Sequence, residues 1–209
     1  IYEYNGSAWV QLGSDIDGEV ANDASGYSVS LSSDGSRVAI GAHMNDGGGT
    51  NTGHTRIYEY NGSAWVQLGS DIDGEAASDY SGIAVSLSSD GSRVAIGAPY
   101  NDDSGGSSGH TRIYEYNGSA WVQLGSDIDG EAVGDLSGRS VSLSSDGRRV
   151  AIGAYINDGG GTNSGHTRVY EYSGSAWVQL GSDIDGEAAD DRSGFSVSLS
   201  SDGSRVAIG

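Results

Sequence analysis

The chain has 209 residues, 36 of them Gly, with one Pro and no Cys, and its 29 acidic against 10 basic residues give a net charge of -19. Without cysteine there is no disulfide framework, zinc-thiolate site or cysteine nucleophile, and so acidic a chain offers no electrostatic footprint to nucleic acid or anionic lipid. No apolar run approaches the roughly 20 residues of a membrane-spanning helix, so no membrane insertion is expected within this segment.

In chain order the first feature is the string YEYNGSAWVQLGSDIDGE, beginning at Tyr2. It returns at Tyr58 and Tyr114, and at Tyr170 with Ser173 in place of Asn, at a spacing of 56 residues. The string VSLSSDG begins at Val29 and returns at Val85, Val141 and Val197. The chain is one unit copied. Four short strands are expected in each unit. Strand A, Ser28–Ser32, alternates with Val29 and Leu31 on one face. Strand B, Arg37–Ala42, does the same with Val38 and Ile40. Strands C, Thr55–Tyr60, and D, Ala64–Leu68, are rich in β-branched and aromatic residues. The turns SSDGS and YNGSA join A to B and C to D, because Asp-Gly and Asn-Gly tolerate positive φ. Long connections follow B (His43–His54) and D (Ser70–Gly82). No stretch has the 3.6-residue apolar period of a helix.

A repeated four-stranded meander of this length predicts an all-β fold, a β-propeller built of four-stranded antiparallel blades. A β-solenoid is the alternative, but its coils use shorter repeats. In the propeller reading the chain is a single repeat array. Residues 1–26 supply strands C and D of a blade plus a linker, 27–82, 83–138 and 139–194 are a blade each, and 195–209 supply strands A and B of another. The ends fall at equivalent points of the repeat. The half-blades could pair to close a ring, or the segment could be a window on a longer or oligomeric array, which is the favoured expectation.

The run SGIAVSLSSDGSRVAIGAPYNDDSGGSSGHTRIYEYNGSAWVQL, Ser81–Leu124, resembles the FG-GAP repeat, the blade of the α-integrin head and of many secreted microbial proteins. The resemblance implies propeller blades and an extracellular or cell-surface setting. Departures are specific. The Phe of FG is Ser at Ser25, Ser81, Ser137 and Ser193, and GAP survives only at Gly97–Pro99. The integrin-type cation loop between A and B is reduced to SSDGSR with the single acid Asp34, so that calcium site is not carried over.

Strand polarity places the B–C and D–A connections on one face of the disc, where most acids collect. The D-x-D-G-E-x-x-x-D pattern supplies Asp15, Asp17, Glu19 and Asp23; Asp71, Asp73, Glu75 and Asp79; Asp127, Asp129, Glu131 and Asp135; and Asp183, Asp185, Glu187 and Asp191. Alternating carboxylates around a Gly turn are hard-cation donors, so calcium is the candidate ion, although no cofactor is required. Solvated turn-capping acids are the alternative. His54, His110 and His166, in a G-H-T-R context, read as loop hydrogen-bonding groups, and the Arg37 column as partners for nearby carboxylates. Trp9, Trp65, Trp121 and Trp177 read as buried packing between blades rather than as sugar platforms. Asn5, Asn61 and Asn117 head N-G-S sequons and are candidate glycosylation sites, although the Asn-Gly turn alone accounts for both residues.

No nucleophile–base arrangement or phosphate loop stands apart from the repeat, so no enzyme is expected. The expectation is a non-enzymatic extracellular structural or adhesion protein, such as a component of a surface fibre or filament. Its partners would be other copies of itself or other extracellular proteins and glycans. The alternative is a calcium-dependent lectin-like module that binds glycan or protein through the acidic face.

Overall fold

The computed structural model describes residues 1–209, and all of its regular structure is strand. A two-stranded sheet, β1 (Tyr2–Tyr4) with β2 (Trp9–Gln11), comes first. The next sheet runs in the order β3 (Ser28–Leu31), β4 (Arg37–Ala42), β5 (His54–Tyr60), β6 (Trp65–Gln67), and β7 (Ile72–Asp73) also pairs with β5. The same sheet recurs as β8 (Ala84–Leu87), β9 (Arg93–Ala98), β10 (His110–Tyr116), β11 (Trp121–Gln123) and β12 (Ile128–Asp129). It recurs again as β13 (Ser140–Leu143), β14 (Arg149–Ala154), β15 (His166–Tyr172), β16 (Trp177–Gln179) and β17 (Ile184–Asp185). A two-stranded sheet, β18 (Val197–Leu199) with β19 (Val206–Ile208), ends the array. These are propeller blades: three entire and two halves. The half-sheets do not pair with each other, so the ring is not closed within the chain.

One element departs from the sequence expectation. The outer strand does not end at Leu68. Leu68 N–H still donates to Ile57 O, the chain kinks through Gly69 at φ +80°, and Ile72–Asp73 then returns to β5 opposite Thr55 and His54. The cause is Ile72, whose side chain is buried in the core and pulls the segment back onto the sheet.

The core lies between blades. Ala39, Ile57 and Ile72 of one blade meet Val85, Leu87, Val94, Ile96 and Tyr114 of the next. At the following junction Ala95, Ile113 and Ile128 meet Val141, Leu143, Val150, Ile152 and Tyr170. The V-S-L-S alternation explains how. Val85 and Leu87 point at the preceding blade, while Ser86, on the other face, accepts a hydrogen bond from Leu143 N–H of the following one at 3.0 Å. Ser30 and Ser142 do the same for Leu87 and Leu199 at 2.9 Å. The A–B turns add a backbone chain at 2.8 Å, Ser33 N–H to Ser89 O, Ser89 N–H to Ser145 O and Ser145 N–H to Ser201 O. Strand B carries Gly where the blades approach most closely: a Cβ on Gly97 would lie 1.9 Å from Gly138 O.

The tryptophans pack between blades, but they are not buried core as expected. Trp121 Nε1–H donates to Leu68 O of the preceding blade at 2.7 Å, and its indole covers Gly69. Trp65 and Trp177 donate likewise to Leu12 O and Leu124 O at 2.7 Å. They are half-buried because β6, β11 and β16 are outer strands with solvent on one side. Trp9 has no blade before it and is 70% exposed.

Candidate functional site

The acidic pattern is divided among four different environments. The first acid of each set accepts from a Gln on the same outer strand: Gln11 to Asp15 at 2.9 Å, Gln67 to Asp71, Gln123 to Asp127, and Gln179 to Asp183 at 2.6 Å. The second, Asp17, Asp73, Asp129 and Asp185, projects to solvent, and the first three give their backbone carbonyls to Arg56, Arg112 and Arg168 Nη2 of the next blade at 2.6–2.8 Å. The fourth closes its own loop. Asp79 and Asp135 are buried and accept from Ala76 and Ala132 N–H at 2.9 Å and from Asn101 and Asn157 Nδ2. Asp23 accepts from Val20 N–H and Asn45 Nδ2, and Asp191 from Ala188 N–H. These acids hold turns.

The third acid leaves its own loop. Glu75 reaches across the junction to β10, where Arg112 Nη1 meets its Oε1 at 3.3 Å and His110 Nδ1 stands 3.7 Å from its Oε2. Asp127 Oδ2 of the His110 blade stands 3.7 Å from the same nitrogen. His54 faces Glu19 and Asp71 at 3.8 and 3.7 Å, and His166 faces Glu131 and Asp183 at 3.9 and 3.8 Å. Asp103 joins the middle cluster; its counterparts Gly47 and Gly159 carry no carboxylate. Asp15 and Glu187 lie at the two ends, without a histidine of their own.

The histidines are not loop residues, as the sequence reading had them. They begin the C strands, and alternation puts His110, Arg112 and Tyr114 on one face of β10. The signal was present in H-T-R-I-Y, where every second residue can point into the junction. His110 is 1% exposed, and neither of its ring nitrogens, nor either of those of His166, has a hydrogen-bond partner. Burial, and next the Arg112 guanidinium, push His110 below the ordinary imidazole range against the pull of Asp127; burial and Arg168 do the same at His166. Both rings are neutral at pH 7 and so retain a lone pair. Burial raises Glu75, opposed by Arg112. One imidazole nitrogen with two or three carboxylates is not the oxygen-only shell of six to eight donors that calcium takes.

The A–B turn is closed by its single acid. Asp34 accepts from Ser36 N–H at 2.9 Å and from the Ser32 and Ser36 hydroxyls at 2.7 and 2.8 Å. Arg37 pairs with Glu59 at 2.8 Å, and Arg93 and Arg149 repeat this with Glu115 and Glu171. The sequon asparagines are exposed at the C–D turns. Asn61 Oδ1 accepts from Ser63 N–H, Ser63 Oγ–H and Ala64 N–H at 3.0 Å, and Asn5 and Asn117 do likewise, leaving each Nδ2 toward solvent.

The fold and the repeated junction define a propeller-type repeat protein. The family model described as FG-GAP repeat matches residues 72–114, from β7 through strand C of the next blade, so that segment is an FG-GAP repeat. Among solved structures, Kuenenia stuttgartiensis hydrazine synthase is similar at 13% identity and a TM-score of 0.52, over 95% of this chain and 44% of that one. Candidate 6-phosphogluconolactonases of Bacteroides uniformis and Bacteroides fragilis are similar at 11% and 9% identity, with TM-scores of 0.53 and 0.54, each over 87% of this chain. The chain spans less than half the length of these structures, and the likeness is one of fold. No curated protein is significantly similar in sequence.

Proposed function

We propose that this chain is a non-enzymatic structural or adhesion protein of the extracellular or cell-surface space, whose blades pack side by side with further identical units, as in a fibre or filament. The observation that carries this reading is that one blade junction is copied along the chain, and that its two complementary faces recur on the two half-blades, where a further unit of the same kind, of the same array or of a second copy, can dock. At the N-terminal side a groove of about 500 Å³ is lined by apolar side chains, among them Ile1, Val29, Leu31, Val38 and Ile40, and by the one charged residue Asp15. Val29 is 64% exposed there, whereas its counterparts Val85 and Val141 are buried against Ala39 and Ala95 of the preceding strand B. The strand B alanine that would fill the groove is carried, exposed, by β19 as Ala207. Strands β18 and β19 of a second copy fit beside β1 and β2 in the register of the intact blades, with Val206 opposite Tyr2 as Val38 is opposite Tyr58. Val29 and Leu31 are 64% and 50% exposed, so covering them contributes about 1 kcal/mol or somewhat more each. The FG-GAP match supports the extracellular setting, and copying one cluster at every junction suits construction or multivalent binding more than a single asymmetric active centre.

Sedimentation equilibrium tests the reading. The weight-average mass of the wild-type chain is expected to rise with concentration above that of one chain, and Val29→Asp to return it to the monomer. A glycan array probed with and without chelator addresses the lectin reading; chelator-sensitive glycan binding by a monomeric chain would replace the structural reading with that one.

A further inference from the structure

We propose that each blade junction is a binding site for one divalent transition-metal ion of the zinc type, held by a buried histidine Nδ1 and carboxylates from two blades, with the Glu75–Asp103–His110–Asp127 junction the tightest. This stands apart from the question of how copies assemble.

Three observations converge on it. His110 and His166 are almost wholly buried, face a cluster of carboxylates, and have no hydrogen-bond partner at either ring nitrogen. Buried polar atoms of native proteins are nearly always satisfied, so an orphan of this kind calls for a missing ligand. The spacing is the second observation. At 3.7 Å from both Glu75 Oε2 and Asp127 Oδ2, His110 Nδ1 is too distant for a hydrogen bond. Tetrahedral ligands at zinc bond lengths near 2.0–2.1 Å stand about 3.4 Å apart, so a small inward movement of exposed carboxylates completes a shell. Third, the carboxylates are oriented for it. Arg112 holds Glu75 by Oε1 and Gln123 holds Asp127 by Oδ1, so that Oε2 and Oδ2 are the atoms left facing the imidazole. The same division of oxygens holds at Glu19 and Asp71, and at Glu131 and Asp183. Outer hydrogen bonds of this type fix metal ligands in place.

The donors choose the ion. A nitrogen among two or three carboxylate oxygens suits zinc, manganese, iron or cobalt and is a poor calcium site. The ligands Glu75 and Asp103 are exposed, which gives an ion access from solvent. Asp103 is present in one repeat only, which separates the middle site from the other two.

Calorimetric titration of the chelator-treated full chain with zinc chloride tests the proposal. Saturable binding is expected, with a stoichiometry of three in keeping with the three clusters, one ion tighter than the others. Calcium chloride should do no more than sodium chloride of equal ionic strength. Asp103→Gly installs the residue that stands at Gly47 and Gly159, so the fold has its own precedent for it. That variant should lose the tight class, about tenfold or more in affinity, leaving the sites alike. His110→Gln should remove one ion from the stoichiometry; if it does not fold, Glu75→Gln at its exposed position serves instead. Absence of saturable zinc binding, zinc binding indifferent to both Asp103→Gly and Glu75→Gln, or calcium equal to zinc would overturn the proposal.

Discussion

At the scale of single residues, copying supplies internal controls. Trp121 and Trp9 occupy the same position of the repeat, yet only Trp121 has a blade before it and a carbonyl to donate to. Trp121→Phe is expected to destabilise by about 1–2 kcal/mol, the hydrogen bond alone accounting for about 0.5–1.5, whereas Trp9→Phe should fall within about 0.5 kcal/mol in the unassociated chain; urea denaturation of the two variants, at concentrations too low for association, measures both. The turn acids give a pH prediction. The Ser36 amide and then the Ser32 hydroxyl hold Asp34 down to about 2, and the Ser200 hydroxyl and Ser204 amide hold Asp202 there too. At Asp90 burial acts in the opposite sense, but the hydrogen bonds from Ser92 and Ser88 prevail and its pKa is also lowered. A carboxyl depressed in the folded state stabilises it above the unfolded value near 4, and that contribution is lost as pH falls from about 4 toward 2. Carboxyl carbon NMR should therefore show Asp34 still ionised at pH 3. A midpoint for Asp34 near 4 would mean that its turn is open in solution.

At the scale of elements, the strands were legible because alternation is strict. Val-Ser-Leu-Ser and Arg-Val-Ala-Ile-Gly-Ala can lay an apolar face on a neighbour in one way only, and β3 and β4 form where that pattern placed them. Strand β7 was not legible. Its two residues, Ile72 and Asp73, are too few for a period, and the Gly-Ser-Asp before them reads as a turn. Only the pairing of Thr55 and His54 with them shows that the strand resumes. The candidate site was legible by halves for the same reason. Acid spacing along one loop suggested that those acids act together, but Glu75 is drawn to Arg112 of the next blade, while Asp79 turns back to cap its own loop. Alternation in H-T-R-I-Y marks which side chains face a junction, but which partner each meets across it leaves no local mark in a sequence. The tightest approach provides an element-scale prediction: Gly97→Ala forces a Cβ against the backbone of Gly138 and is expected to cost about 1–3 kcal/mol or more. Ala at Gly106, whose would-be Cβ meets only Val133 Cγ1 at 3.8 Å, should be far milder in the same thermal melts.

At the scale of the whole molecule, stability is a sum over junctions, as expected for arrays in which each unit meets only its neighbours. With a net charge of -19 the acidic loops repel one another, and salt should raise the melting temperature by screening. A further rise at low zinc concentration, beyond an equal ionic strength of sodium chloride, would mark the junction ions separately. The central claim is that the two half-blades carry complementary faces of one junction, so that those of two copies of this 209-residue segment rebuild one blade. In intact blades Arg37 lies opposite Glu59 and is ion-paired to it at 2.8 Å, which places Arg205 of one copy opposite Glu3 of another. The chain has no cysteine of its own, so Glu3→Cys with Arg205→Cys introduces the sole pair of thiols, at a spacing that antiparallel strand neighbours can bridge. Under mild oxidation the double variant should run on a non-reducing gel as a ladder of linked chains that collapses on reduction, with neither single variant extending beyond a dimer. A cross-link confined within one chain, or no cross-link at concentrations where the wild type associates, would contradict the account.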